Sequence, residues 1–349
     1  MFDTYFNTLY FFCFFIAFFL AIEKSLKNKY HEGFEKKIII FTSILFVFLF
    51  GLRDHSVGTD TINYIRRFTD FNYYLNYTSI QDFGFYSALV ILKKINASLD
   101  LYFVVLAGML MLPLSICFNT YKVKNRFILF FFLISLFFFK NIGINILRQG
   151  IGMAIAMLVI VKDKEMSKTV KYMLSLLAIS FHASIIILIL LNILSKRIKK
   201  LKYPLIFFFM AIPLSAIGLR LSNFLVKIPV LGSFIDQRMH SYIENQFSST
   251  YNTGFRIDFV VFNTFFALIA IYLHKKNTDI KHTQYLILYL LTSSLFFFMF
   301  NLPFSDRYGI LSWCLIPFIL SPMLNKNIIK HGSLIMVFLG LFIFMVFNF

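Results

Sequence analysis

The sequence predicts an all-α, polytopic integral membrane protein, and three observations carry that reading. Of 349 residues, 59% are hydrophobic and 49 are Phe. Charged residues make up only 14%, against about a quarter in soluble domains. Apolar runs long enough to cross a bilayer recur along the whole chain. A water-soluble fold has no means of covering so much Phe, so lipid is the solvent for most of this surface. The same numbers exclude disorder, a nucleic-acid-binding arm and an ordinary soluble enzyme.

Taken in order, spans are read near Tyr5–Ile22, Ile38–Leu52, Leu101–Thr120, Phe127–Ile144, Leu147–Val161, Tyr203–Leu221, Ile257–Leu273, Tyr285–Leu302, Tyr308–Leu324 and Leu334–Phe347. With the run Tyr172–Leu194 this makes about 10–11 transmembrane helices. Residues 1–349 read as one integral membrane domain with two long polar outer loops, 53–100 and 222–256. No signal peptide is expected, because the first residues carry Asp3, no basic residue and no following small-residue cleavage site. Cys13, Cys117 and Cys314 sit inside apolar runs and read as small buried hydrophobes.

Charge sets the orientation. The net charge is +18, and 22 of the 34 basic residues fall in six loops at 24–37, 122–126, 162–171, 196–202, 275–281 and 326–330. All six are expected on the cytoplasmic side. One run, 172–194, separates two of these loops. Either it crosses once and leaves a basic loop outside, or it breaks near Ser180–Ser184 and re-enters. The remaining basic residues differ in kind. Eight of the ten arginines (Arg53, Arg66, Arg67, Arg148, Arg220, Arg238, Arg256 and Arg307) but only four of the 24 lysines are left for the outer side. Arginine is the better bidentate partner for phosphate. The bland alternative is pairing with acids on the same side, such as Asp54, Asp60, Asp70 and Asp306.

Four short motifs stand out. In Gly51–Tyr64, Arg53 ends the second span, Gly58 permits a tight turn, and Thr59 or Asp60 is placed to cap a following helix. That helix would carry Ile62, Ile65 and Phe68 on one stripe and lie on the outer leaflet. Asn145–Gly152 holds Arg148, which is drawn into the outer part of the membrane and is by default functional there. Gly150, Gly152, Ala154 and Ala156 leave one side of this helix slim, for close packing or for a lipid. Phe181-His182-Ala183-Ser184 puts a lone histidine in an apolar run: a packing residue, or an acid, base or phosphate donor. Ser305-Asp306-Arg307-Tyr308 is a short outer turn, and Arg256 with Asp258 reads as an interfacial pair. The outer-loop rings Phe68, Phe71, Tyr73, Tyr74, Tyr77, Phe83, Phe85 and Tyr86 read as an interfacial aromatic belt. No nucleotide loop, zinc helix or serine elbow is present.

These residues together resemble the EpsG-like, Wzy-type bacterial polysaccharide polymerases. Gly51–Tyr64, with Arg53, Gly58-Thr59-Asp60 and Tyr64, resembles a first signature; Leu147-Arg148-Gln149 a second; Phe181–Ser184 a phenylalanine-histidine element; and Arg307-Tyr308 a late arginine-tyrosine. Asp54-His55-Ser56 departs from the pattern, so His55 is given no role. The resemblance implies a GT-C-like glycosyltransferase in the bacterial inner membrane, with its active site facing the periplasm. It would transfer a growing glycan from undecaprenyl pyrophosphate to a lipid-linked repeat unit, making O-antigen or capsule. Asp60, Arg148 and His182 would then be catalytic, and Arg53, Gly58, Thr59, Tyr64, Gln149, Arg307 and Tyr308 would bind pyrophosphate or glycan. Neither a cofactor nor a metal is expected. The partners implied are the lipid-linked oligosaccharide and membrane lipid, with room for a chain-length regulator protein and no nucleic acid. A transporter of lipid-linked oligosaccharide is the alternative, and a membrane glycan acyltransferase a weaker one.

Overall fold

The computed structural model describes residues 4–26, 31–70, 83–218, 253–277 and 279–348. Among them every regular element is helical, as the composition requires. In chain order the helices are α1 (Thr4–Leu26), α2 (Glu32–Gly51), α3 (Thr61–Thr69), α4 (Phe83–Lys94), α5 (Leu99–Thr120), α6 (Arg126–Ser135), α7 (Phe138–Ile144), α8 (Leu147–Val161), α9 (Lys168–Phe181), α10 (Ile185–Arg197), α11 (Lys202–Ala216), α12 (Ile257–Lys276), α13 (Ile280–Phe298), α14 (Asp306–Trp313), α15 (Ile316–Ile319) and α16 (Gly332–Asn348). A 3₁₀ turn at Ser321–Leu324 precedes the last of these.

Among the described residues four stretches are long and apolar enough to cross a membrane: α1, α5, α12 and Asp306–Leu324 taken as one. A fifth appears if α6 and α7 count as a single bent span. Length and composition together therefore give fewer spans than the sequence reading, for identifiable reasons. The run Phe127–Ile144, read as continuous, is broken at Leu136, whose extended backbone (φ −73°, ψ 137°) turns the chain by 77° between α6 and α7. The helices α8, α11 and α16 fall short of the roughly 20 residues that a perpendicular crossing takes. The run Tyr172–Leu194 is interrupted within the stretch that the re-entrant alternative named, with α9 ending at Phe181 and α10 starting at Ile185.

The chain forms two compact units, residues 1–189 with 323–349, and residues 190–322. In the first, α2 lies against α5, and α8 packs against both α5 and α9. Approach at Gly51 is close: a Cβ there would sit 2.6 Å from the Val104 backbone. Fourteen of the 15 residues of α8 are buried, and the exception is Arg148. A helix buried on nearly every side belongs inside a bundle rather than on its surface. Aromatic packing fills the rest, with Phe14 and Phe344 stacked in parallel at 3.4 Å between centroids. Lipid is as apolar as these rings, so tight packing rather than water exclusion holds such helices together.

At one end of α2 a buried ion cluster forms. Glu35 accepts from the Arg126 backbone N–H at 3.1 Å and lies 3.7 Å from the Lys24 Nζ. The other end of α2 leads into Arg53. In the second unit, α13 is buried along most of its length. The buried Asn263 of α12 is a polar hub there: its Oδ1 accepts from the Ser293 and Ser312 hydroxyls at 3.1 and 3.3 Å, and its carbonyl accepts from the Tyr289 hydroxyl at 2.9 Å. The stretch 219–252, with Arg220 and Arg238, lies outside the described residues, as do Phe71, Tyr73, Tyr74 and Tyr77.

Candidate functional site

The site is built from the first unit. After Gly51 the chain leaves α2, and the Arg53 guanidinium folds back inward. Its Nη1 donates to the Phe50 carbonyl. Its Nη2 lies 3.4 Å from Thr61 Oγ1 and 3.5 Å from the Ile144 carbonyl. The ring of Phe103 lies beneath it at 4.4 Å. Arg53 is only 4% exposed, and no carboxylate among the described residues pairs with it. Asp54, the acid next to it, accepts from the Ser56 N–H instead, at 2.8 Å. Burial depresses the guanidinium pKa to about 10, still far above neutrality. A buried cation held only by carbonyl and hydroxyl oxygens lacks a counter-charge, and that lack costs free energy unless an anion arrives.

The next turn explains why Gly58 is glycine. Its φ is +101°, a conformation that side chains disfavour. A Cβ there would press on Ile144 and stand 2.7 Å from Asn145 Oδ1 and 2.8 Å from Thr61 Oγ1. Thr59 is exposed and Asp60 half-buried. Asp60 occupies the N-cap position of α3, yet its side chain makes no capping bond; its backbone N–H donates to Asn145 Oδ1 at 3.3 Å. The buried face of α3 is Thr61, Tyr64 and Phe68 rather than the expected Ile62, Ile65 and Phe68, and Ile62 is exposed. Specific contacts decide this. The Tyr64 hydroxyl donates to the Asn145 carbonyl at 2.9 Å, and Phe68 stacks on Tyr102 at 4.7 Å. Phe85 and Tyr86 are likewise buried rather than part of an interfacial belt.

Asn145 therefore joins the first motif to the second. Its amide nitrogen donates to Asn141 Oδ1 at 2.8 Å, which fixes the amide's orientation. Three residues later Arg148 stands on the open side of α8, with its guanidinium 5.8 Å from the Phe85 ring centroid. Gln149 beside it is fully buried. The small residues of α8 serve helix packing: a Cβ on Gly152 would lie 2.7 Å from the Ala178 carbonyl and 3.0 Å from Ile185. The break carrying His182 is thus seated on α8, one turn from Arg148. At that break Nδ1 of His182 accepts from the Ser184 N–H at 3.3 Å and lies 2.8 Å from its hydroxyl, so the ring is pinned. Gly84 of α4 lies against Ser180 and Phe181, which brings the break and Phe85 together.

A third arginine joins them. Arg67 of α3 donates to the Tyr86 hydroxyl at 2.6 Å. Tyr102 lies within electrostatic reach of Arg53, Arg67 and Arg148 alike. Sequence reasoning assigned no role to Asn145 or Tyr102, and counted Arg67 only as one of the eight arginines left for the outer side. Arg307 and Tyr308 belong to the second unit, where Arg307 lies over Phe304 at 4.5 Å. There Asp306 is within electrostatic reach of Arg256 and Arg307, and Arg256 makes the expected pair with Asp258 through two hydrogen bonds of 2.6 and 3.0 Å. Among the described residues no group of three His, Cys, Asp or Glu is placed to hold a metal ion.

The arrangement in the first unit is a cradle of guanidinium groups with one carboxylate, Asp60, on its turn and one pinned imidazole on a neighbouring helix break. Such a set can hold a polyanion and assist a proton transfer. The profile of the EpsG family matches residues 36–349. No curated protein matches the chain. Nor does any solved structure.

Proposed function

Because the chain belongs to the EpsG family, whose members have a polysaccharide polymerase-type role, we propose that it is a membrane glycosyltransferase that extends a glycan carried on undecaprenyl pyrophosphate. The acceptor is a sugar hydroxyl of a lipid-linked repeat unit, and the product is O-antigen or capsule. In the reaction the acceptor oxygen bonds to the donor's anomeric carbon as the bond to the pyrophosphate oxygen breaks. Arg53 and Arg148 hold the pyrophosphate and stabilise the charge that develops as it leaves. Asp60 orients the hydroxyl and takes its proton, or His182 does so in its place. Arg307 and Tyr308 are glycan-binding candidates from the resemblance alone.

The single observation that carries this reading is Arg53, a buried guanidinium with no carboxylate partner among the described residues, which shares electrostatic reach of Tyr102 with Arg148, the one open position of a buried helix. The two ends of α2 support an orientation. The Glu35 cluster with Lys24 and Arg126 lies on the lysine-rich side. Arg53 is 18 residues further on, about 27 Å along a helix and close to the hydrocarbon thickness of a bilayer. We place the lysine-rich end in the cytoplasm and the cradle on the outer face of the inner membrane, in a GT-C-like bundle of about 10–11 spans once short and broken helices are counted.

The test is a glycan ladder from cells lacking the protein, complemented with wild type or with Arg148→Ala. Deletion is expected to leave surface glycan of one repeat, and Arg148→Ala, at normal membrane levels, to leave the ladder missing. Loss of all surface glycan on deletion would favour export of the lipid-linked unit instead. A normal ladder without the protein would refute the proposal.

A further inference from the structure

Tyr102, in the first turn of α5, is fully buried, with its ring stacked on Phe68 at an interplanar angle of 20°. Its hydroxyl has no hydrogen-bond partner among the described residues. The Nε of Arg53 has none either. The guanidinium Nε can only donate and the phenol O–H needs an acceptor of its own, and the two residues lie within electrostatic reach of each other. An unsatisfied buried donor destabilises the fold. Neighbouring phenols do not bear that cost: Tyr64 donates to the Asn145 carbonyl, and Tyr86 accepts from Arg67. Tyr102 and Arg53 are together short of an acceptor and of negative charge. An oxygen of a phosphoryl group supplies both.

We infer that Tyr102 is a ligand-binding residue of the cradle, its phenol donating a hydrogen bond to a phosphoryl oxygen of the pyrophosphate that Arg53 and Arg148 hold. The inference rests on the proposed reading of that cradle as a pyrophosphate site. It gives the phenol a role the arginines do not have: a neutral donor fixes one oxygen by direction, where guanidinium groups attract the whole anion. Phe68, next to Arg67 in α3, holds the ring in place.

The test uses the full-length chain purified in detergent and titrated with inorganic pyrophosphate, reading the thermal shift. Tyr102→Phe keeps the ring, the stack and the burial and deletes only the hydroxyl. Without ligand it is expected to melt at or above the wild-type temperature, because an unsatisfied donor has been removed. Its pyrophosphate affinity is expected to fall about tenfold, the loss of one hydrogen bond to a charged acceptor. Arg53→Lys and Arg148→Ala serve as site controls. Should both controls lose affinity while Tyr102→Phe keeps it, the inference about Tyr102 is overturned and the polymerase reading stands. Should wild type gain no stability from pyrophosphate, the cradle itself is wrong and the role of Tyr102 falls with it. A Tyr102→Phe protein that melts well below wild type without ligand would also overturn the inference, because the hydroxyl would then have a structural partner.

Discussion

Gly58→Ala is expected to disable the protein while leaving its helices assembled. The residue sits at φ +101°, where a side chain adds roughly 1–2 kcal/mol of backbone strain. The added methyl would press on Ile144 and approach Asn145 Oδ1 to 2.7 Å and Thr61 Oγ1 to 2.8 Å. Neither oxygen is at liberty to move. Asn145 holds the Asp60 N–H, and Thr61 holds the Val57 carbonyl and receives the Arg53 guanidinium. Displacing both sacrifices two or three hydrogen bonds at about 1 kcal/mol each. The sum is about 4 kcal/mol, concentrated on one turn. The aromatic packing of α1, α2 and α16 is untouched, so membrane levels should stay near wild type. Activity should not, because shifting a clamping group by an ångström is enough to cost on the order of 100-fold in rate. The assay pairs the glycan ladder with immunodetection of the membrane protein. A full ladder at wild-type protein levels would show that the turn does not position Arg53, and the reasoning would fail.

Two further predictions concern stability and topology. His282 is buried, its Nε2–H donating to the Ile319 carbonyl at 2.9 Å, and burial depresses its pKa. The folded chain therefore favours the neutral ring, so this contribution is present above the unfolded pKa near 6.5 and is lost as pH falls from there through the lower folded value. The melting temperature should drop between about pH 7 and pH 5, and His282→Gln should flatten that dependence; equal slopes in the two proteins would sink the assignment. Lys164→Cys and Lys199→Cys place thiols at exposed positions on either side of the break at His182. If 172–194 re-enters, an impermeant thiol reagent applied from outside should miss both; labelling of one alone means that the segment crosses.

The class of this protein was legible because its evidence is bulk composition: 49 Phe and recurring apolar runs need no partner to be read. Arg53, Gly58 and Arg148 were legible for a local reason, each being an unusual residue type in its own stretch. What escaped was long-range. Tyr64 reaches Asn145 across 81 positions, and that contact, not helical periodicity, selects the buried face of α3 and leaves Ile62 outside. The bend between α6 and α7 escaped because Ser135-Leu136-Phe137 contains no Gly or Pro to announce it. Tyr102 escaped because a tyrosine near a span end ordinarily reads as an interfacial anchor, and only the missing partner of its hydroxyl says otherwise.

The bond from Asn145 to the first turn makes the two signatures unequal in the insertions they can absorb. Asp54, His55 and Ser56 are exposed, on the outside of the turn. Residues added or lost there change the length of a surface loop, at a small entropic cost. Between Asn145 and Arg148 the position is the reverse. One inserted residue would swing Arg148 by about 100° around the helix axis, carrying the guanidinium from the open side of α8 into its packed side while Asn145 stayed tied to Asp60 and Tyr64. Natural variants of this chain should therefore drift in length at 54–56 and hold the spacing from 145 to 148 fixed.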